Sequence, residues 1–289
     1  MLVIFNTKNV QTRNSVCGIG SFDGVHRGHQ QIVKHLKQLA GPRQKSGIIT
    51  FMPLPFFVLK HAPICCLTPK EEKEQILEKL GVDFIYYFEF SEKFSKLSPE
   101  EFVDLIARQI APATVVVGEN FHFGKMRQGS AQLLRTLAHD SFRVNIMPKL
   151  KDEGTISSTR IRELLLLGNI KAANRLLGRE YSISGAVIKG KGRGQRLGFP
   201  TINIQPPEHK LIPLDGVYKV KVVIDKDEHL GAMFCRHDLL EVHIVDFSRD
   251  IYGKSVTTKF VERIRGIQHF SDDKALKSAI SEDIERVTT

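Results

Sequence analysis

A chain of 289 residues, 42% of them apolar, is long enough for one large or two ordinary globular domains with buried cores. It contains no apolar run of about 18 residues, and its N-terminal MLVIFNTKNVQTRN lacks the order of a signal peptide, so a cytoplasmic protein with no membrane partner is expected. The net charge of +10 favours anionic partners, yet the densest basic cluster, KGKGRGQR at 189–196, alternates with glycine, which suits phosphate held near backbone better than nucleic acid.

In chain order, VCGIG (16–20), SGIITF (46–51), VDFIYYF (82–88), TVVVG (114–118) and RVNIMP (143–148) read as buried strands. Cys17 falls in the first of them, and with Cys65, Cys66 and Cys235 it makes no C-x-x-C pair, so four reduced thiols are expected. Between the strands, Thr68-Pro69-Lys70-Glu71 and Ser98-Pro99-Glu100-Glu101 carry a hydroxyl N-cap, a proline at the first helical position and a glutamate for a capping box. Gly81 is placed to stop the first of these helices. Such alternation predicts a parallel sheet with helices on both faces. After about residue 181 the pattern changes to short, partly alternating runs, YSISGAVIKG, FPTINI, GVYKVKVVID and LLEVHIVDF, which predict an antiparallel sheet or small barrel. A closing amphipathic helix, SDDKALKSAISEDIERV, is expected to take Ser271 as its N-cap. The domains are predicted to meet near Tyr181, giving 1–181 and 182–289.

GSFDGVHRGHQ, residues 20–30, lies at a predicted strand-to-helix junction. Glycines there let backbone N–H groups approach an anion at the helix N-terminus, and His26 and His29, three apart, present two imidazole donors together. The pair suits the charge that develops in phosphoryl or nucleotidyl transfer. A surface turn with incidental histidines, or a metal pair needing further ligands, are the other readings of the segment alone.

G-x-F-D-G-x-H-x-G-H resembles the signature of the cytidylyltransferase-like nucleotidyltransferases, and ISSTRIRELL (156–165) matches their second element, I-S-S-T-x-I-R. VGENFHFG (117–124) and FMPLPFFVL (51–59) are similar to the V-G-x-[DN]-F-x-F-G and F-x-P-x-P segments of the bacterial bifunctional riboflavin kinase and FAD synthetase family. In the second half, GRGQRLGFPTINI (192–204), DGVYKV (215–220) and LEVHIVDF (240–247) resemble its riboflavin kinase module in the same order. The chain departs from that family at Gly194-Gln195, where an arginine usually follows the glycine, and at 230–238, where an N-I-G-x-x-P-T-like stretch is replaced by a shorter segment.

The resemblance implies a Rossmann-like nucleotidyltransferase domain followed by a six-stranded antiparallel β-barrel with a terminal helix. It implies ATP, riboflavin and FMN as substrates, FAD as product and Mg2+ as cofactor. His26 and His29 would act on the ATP phosphates, with Gly20, Phe22, Asp23, Gly28, Asn120, Ser157, Ser158, Thr159 and Arg162 binding nucleotide or flavin. Asp23 is a metal contact or a turn stabiliser, and Phe51, Phe56, Phe57, Phe121 and Phe123 are either core or flavin walls. In the second domain Glu241 would be the base, Thr201 and Asn203 would hold metal and nucleotide, and Gly190, Gly194 and Arg196 would form a phosphate loop with Gly192, Lys189, Lys191 and Arg193. Rival readings are an FMN adenylyltransferase with a flavin-binding C-terminal module, a nucleotidyltransferase for another phosphorylated substrate, and a basic nucleic-acid-binding protein.

Overall fold

Alternating strands and helices build the first of two compact units, Met1–Ser157 and Ser158–Thr289. The computed structural model describes residues 1–7, 12–59, 65–148, 150, 155–190, 192–237 and 239–289. Lys191 and the side chain of Arg193, both assigned to the phosphate loop, lie outside the described residues.

The first unit runs β1 (Leu2–Phe5), β2 (Val16–Ile19), α1 (Arg27–Ala40), β3 (Ser46–Met52), α2 (Pro55–Val58), α3 (Lys70–Lys79), β4 (Phe84–Glu89), α4 (Glu92–Ser95), α5 (Pro99–Gln109), β5 (Thr114–Gly118), β6 (His122–Phe123), β7 (Gly129–Ser130), α6 (Ala131–Leu137) and β8 (Arg143–Met147). Its main sheet has the order β1-β4-β3-β2-β5-β8, every pair parallel. Ile49, Tyr86 and Val115 pack into one buried cluster while their neighbours Ile48, Ile85 and Val116 pack into another, so both faces of the sheet are covered. That is why the strands read as continuous apolar runs rather than as alternation. The edge strand β1, LVIF, is also a continuous apolar run but buries only Ile4, and the sequence reading did not assign it.

Helix starts follow local chemistry with two corrections. Ser98 and Glu101 form the expected reciprocal capping box on α5. Thr68 does not cap α3, whose N-cap is Pro69 with no side-chain bond; the Thr68 hydroxyl is drawn instead to the turn at Gly24.

The second unit comprises α7 (Ser158–Leu166), α8 (Ile170–Leu177), β9 (Tyr181–Ile188), α9 (Arg193–Arg196), β10 (Ile202–Gln205), β11 (Gly216–Ile224), β12 (Asp227–Arg236), β13 (Leu239–Ile244), β14 (Ser255–Arg265) and α10 (Asp273–Thr288). Its strands close into a barrel in the order β10-β13-β12-β11-β14-β9. Closure leaves no unpaired edge, and alternate residues such as Tyr218, Val220, Val222, Val242 and Phe260 fill the interior. The 230–238 region, where the family stretch is missing, is mostly strand: β12 pairs with β13 as far as Arg236↔Leu239. Asp272, not Ser271, caps α10, its carboxylate accepting from the Ala275 N–H at 2.7 Å. An aspartate in the extended conformation one residue nearer the helix serves the same orphan amides.

Candidate active sites

In the parallel sheet the chain steps from β2 through β3 to β4 on one side, then returns to β5 on the other side of β2. The strand order therefore reverses between β2 and β5, and in open α/β sheets ligands bind beyond the carboxyl ends of strands at such a point. Beyond β2 comes the 20–29 turn, and beyond its hydrogen-bonded neighbour β5 comes Asn120. The topology thus brings together two segments that the sequence held far apart.

Within the turn Phe22, Gly24 and Val25 all have positive φ, 48°, 83° and 39°. His26 follows in extended backbone and caps α1, its Nδ1 accepting from the His29 N–H at 3.3 Å. The two imidazoles stack with ring centroids 3.7 Å apart and planes at 14°. Phe22 is fully buried beneath them, 4.8 Å from the His29 ring, and fixes the outer histidine from below. A Cβ on Gly28 would press the His26 ring at 3.2 Å, so the missing side chain keeps the cap in place. Asp23 is 2% exposed, and its carboxylate accepts from the N–H groups of Leu67 (2.9 Å) and Thr68 (3.1 Å). These bonds favour its role as turn stabiliser.

Asn120 is exposed in the turn after β5, where the Phe121 N–H donates to the Gly118 carbonyl at 2.9 Å. Phe51 and Phe123 belong to the core, while Phe121 stacks on Phe123 at its margin. Ser157 immediately precedes α7, Ser158 and Thr159 form its first turn, and Arg162 one turn on is buried. Hydroxyls at a helix N-terminus suit an anion.

In the second unit, Thr201 Oγ1 donates to Glu241 Oε1 at 2.9 Å, and Glu241 lies directly opposite Asn203 across the β10–β13 ladder. Side chains of such a pair share one face. Thr201 belongs to the walls of two cavities, of about 370 and 510 Å3. The smaller is bounded by Gly190, Gly192, Asn203 and the segment Phe247–Tyr252. The larger includes Glu241 and Gly194 and is walled by Phe199, Phe234, Phe270 and Leu276. Arg265 holds α10 against this larger cavity through Asp283, at 2.9 Å from Nε and 2.6 Å from Nη2.

Gly190 is required by Asn203, because an added Cβ would stand 2.0 Å from Nδ2. Gly190→Ala is accordingly expected to displace the carboxamide and raise the KM for a ligand held in the smaller cavity by about tenfold, measured by initial rates, a cost of about 1.4 kcal/mol. Hard oxygen donors from Thr201 and Asn203 fit Mg2+, since the Thr201 proton is committed to Glu241 and its oxygen lone pairs remain available. Lys189 and Arg196 are exposed, and neither lines either cavity. Arg249 lies in the wall of the smaller cavity instead, its guanidinium 5.1 Å from the Phe247 ring. Sequence reading missed it, although the polar run Asp246–Asp250 directly after an apolar strand was a usable sign of a loop at the barrel mouth.

An anion-suited turn at the switch point of a parallel sheet, in one chain with a barrel whose Thr201 borders two cavities and whose Glu241 lines the larger, defines a two-unit nucleotide-dependent transferase. Comparison with known proteins makes the class particular. The family model for FAD synthetase matches residues 8–160, and that for riboflavin kinase matches residues 177–289. The chain is 37% identical over 283 residues to the bifunctional riboflavin kinase/FMN adenylyltransferase of Listeria monocytogenes, covering 93% of this chain and 90% of that protein. The protein of the same description from Buchnera aphidicola subsp. Schizaphis graminum is 35% identical, covering 98% and 96%. A solved structure described as a macrolide-efflux protein from Streptococcus pneumoniae has a TM-score of 0.90 at 29% identity, covering 100% of this chain and 99% of that one. Among the described residues here, no helix is long and apolar enough to cross a membrane. The chain belongs to the bifunctional riboflavin kinase/FMN adenylyltransferase family.

Proposed function

We propose that the barrel, residues 182–289, phosphorylates riboflavin to FMN and that residues 1–181 adenylylate FMN to FAD, both at the expense of ATP. The observation that carries the kinase assignment is the Thr201–Glu241 hydrogen bond beside both cavities. One cavity offers Thr201, Asn203 and Arg249 to nucleotide phosphates, and the other has Phe199, Phe234 and Phe270 as walls for an isoalloxazine ring. The ribityl 5′-hydroxyl oxygen attacks the γ-phosphorus as Glu241 takes its proton, the bond from that phosphorus to the β-bridging oxygen breaks, and ADP leaves. Thr201 orients the carboxylate, and Gly190 and Asn203 border the nucleotide. Magnesium, which Thr201 and Asn203 would hold, supplies charge neutralisation at the phosphates when bound.

In the adenylyltransferase a phosphate oxygen of FMN attacks the α-phosphorus of ATP, the bond to the α,β-bridging oxygen breaks, and pyrophosphate leaves without a covalent enzyme intermediate. The stacked imidazoles of His26 and His29 donate to the charge that grows on the phosphates, and Asn120 positions the substrate phosphates from the neighbouring strand. The hydroxyls of Ser157, Ser158 and Thr159 and the guanidinium of Arg162, at the start of α7, suit a nucleotide phosphate. The partners are small anionic substrates, which the charge of +10 favours, rather than nucleic acid or membrane, and the setting is the cytoplasm.

Flavin chromatography after incubation with ATP and magnesium, in parallel tubes begun from riboflavin and from FMN, is expected to give FAD in both. FAD from FMN alone would make the barrel a flavin-binding module whose short β12–β13 connection has cost the kinase step. No FAD in either tube would overturn the assignment.

A further inference from the structure

The turn that carries the histidines combines three positive φ values in four residues, a conformation that persists only where surrounding groups over-determine it. Most of those groups come from one remote segment, Leu67–Lys73. Asp23 accepts from the Leu67 and Thr68 amides, and the Gly24 N–H donates to Thr68 Oγ1 at 2.9 Å. Ser21, at the start of the turn, has its carbonyl oxygen bonded by Thr50 Oγ1 at 3.1 Å and by Lys73 Nζ at 2.9 Å, a donor 52 residues away. Lys73 is 2% exposed on α3, and a lysine is almost never buried to that degree without a purpose for its charge. Burial pulls its ammonium down to about 8, against which Asp23 and Cys66, from the turn and the segment before α3, and Glu74 on its own helix hold the charged form. It therefore remains mostly protonated at neutral pH, facing the Asp23 carboxylate.

We propose that Lys73 and Thr68 form a positioning brace for the adenylyltransferase, in which the ammonium pins the Ser21 carbonyl and the hydroxyl pins the Gly24 amide so that His26 and His29 meet the ATP phosphates in fixed register. This rests on the assignment of FMN adenylylation to the first unit. Lys73 reaches the backbone from behind the turn and acts through the histidines, so it is a positioning residue. Redirection of the Thr68 hydroxyl from its helix to the turn has the same explanation: the strained loop is the group with the greater need.

The test is Lys73→Met, close in volume and without the charge, with both reactions followed on the same chain. Because misplacing reactive groups by about 1 Å can cost about 10²-fold, kcat for FMN adenylylation is expected to fall by about that factor. The KM for ATP should stay within about threefold and riboflavin phosphorylation within about twofold, since the histidines remain and the barrel is untouched. Hydrogen exchange of the 20–29 amides should accelerate by about tenfold or more relative to the parent protein. Unchanged kcat and exchange would overturn the brace, and so would a change confined to KM. If Lys73→Met lost both activities, Thr68→Val decides: it keeps the lysine and removes the hydroxyl, and unchanged adenylylation there would overturn the proposal. Parent protein that made no FAD from FMN would sink the underlying assignment, while the exchange comparison would still judge the brace.

Discussion

Glu241→Gln is expected to lower riboflavin phosphorylation by about 10²–10⁴-fold, the range supplied by a positioned general base. Glutamine has nearly the same shape, and its amide oxygen can still accept the Thr201 hydroxyl, so the β10–β13 ladder and both cavity walls persist. What disappears is the capacity to take the ribityl proton. FAD formation from added FMN should remain within about twofold of the parent, because the proposed adenylyl transfer turns on the histidines of the first unit and uses no residue of β13. Separate assays of the two steps on one purified variant give the answer directly. A kinase rate near that of the parent would remove Glu241 from the mechanism and leave it as an exposed-face residue held by Thr201.

The reciprocal loss is expected from His29→Ala, which should reduce FAD formation from FMN by about 10²–10³-fold, as removal of a preorganised donor to a developing negative charge does. Riboflavin phosphorylation should stay near the parent value. His26 is a less clean target, because its Nδ1 also caps α1, and its replacement by alanine adds a helix-stability cost of about 0.5–2 kcal/mol. His26→Asn separates the two effects: asparagine restores the cap but not the stacked imidazole, so the thermal midpoint should recover while FAD synthesis does not. If His29→Ala retained full FAD synthesis, the histidine turn would be structural and the adenylyl transfer would need another donor set.

Much of the fold was legible because both of its periodicities are local. Strands β2, β3, β4 and β5 announced themselves as unbroken apolar runs because helices cover both faces of the sheet, whereas β8, read as buried from RVNIMP, is an edge strand with no fully buried residue. The Ser98 capping box involves atoms three residues apart and formed as read. Strand β1 was passed over although LVIF is an apolar run, and β12 was missed because its first half is polar and exposed. Thr68 shows the limit of local reading from the other side: its sequence context is that of an N-cap, but the Gly24 amide, 44 residues distant, took the hydroxyl.

The site divides in the same way. By itself the sequence determined the features that lie within a single motif: the pairing of His26 with His29, the hydroxyls at the start of α7, and the order of the two modules, since spacing along one turn or strand is already geometry. Only the tertiary structure decided that β5, which leads to Asn120, pairs with β2, which leads to the histidine turn, that Glu241 stands against Thr201 and opposite Asn203, that Arg249 rather than Arg196 borders the smaller barrel cavity, and that Lys73 bonds the Ser21 carbonyl. Each of these is a contact between segments far apart in the chain, set by strand order and barrel closure. No periodicity within a segment records which other segment the sheet will place beside it.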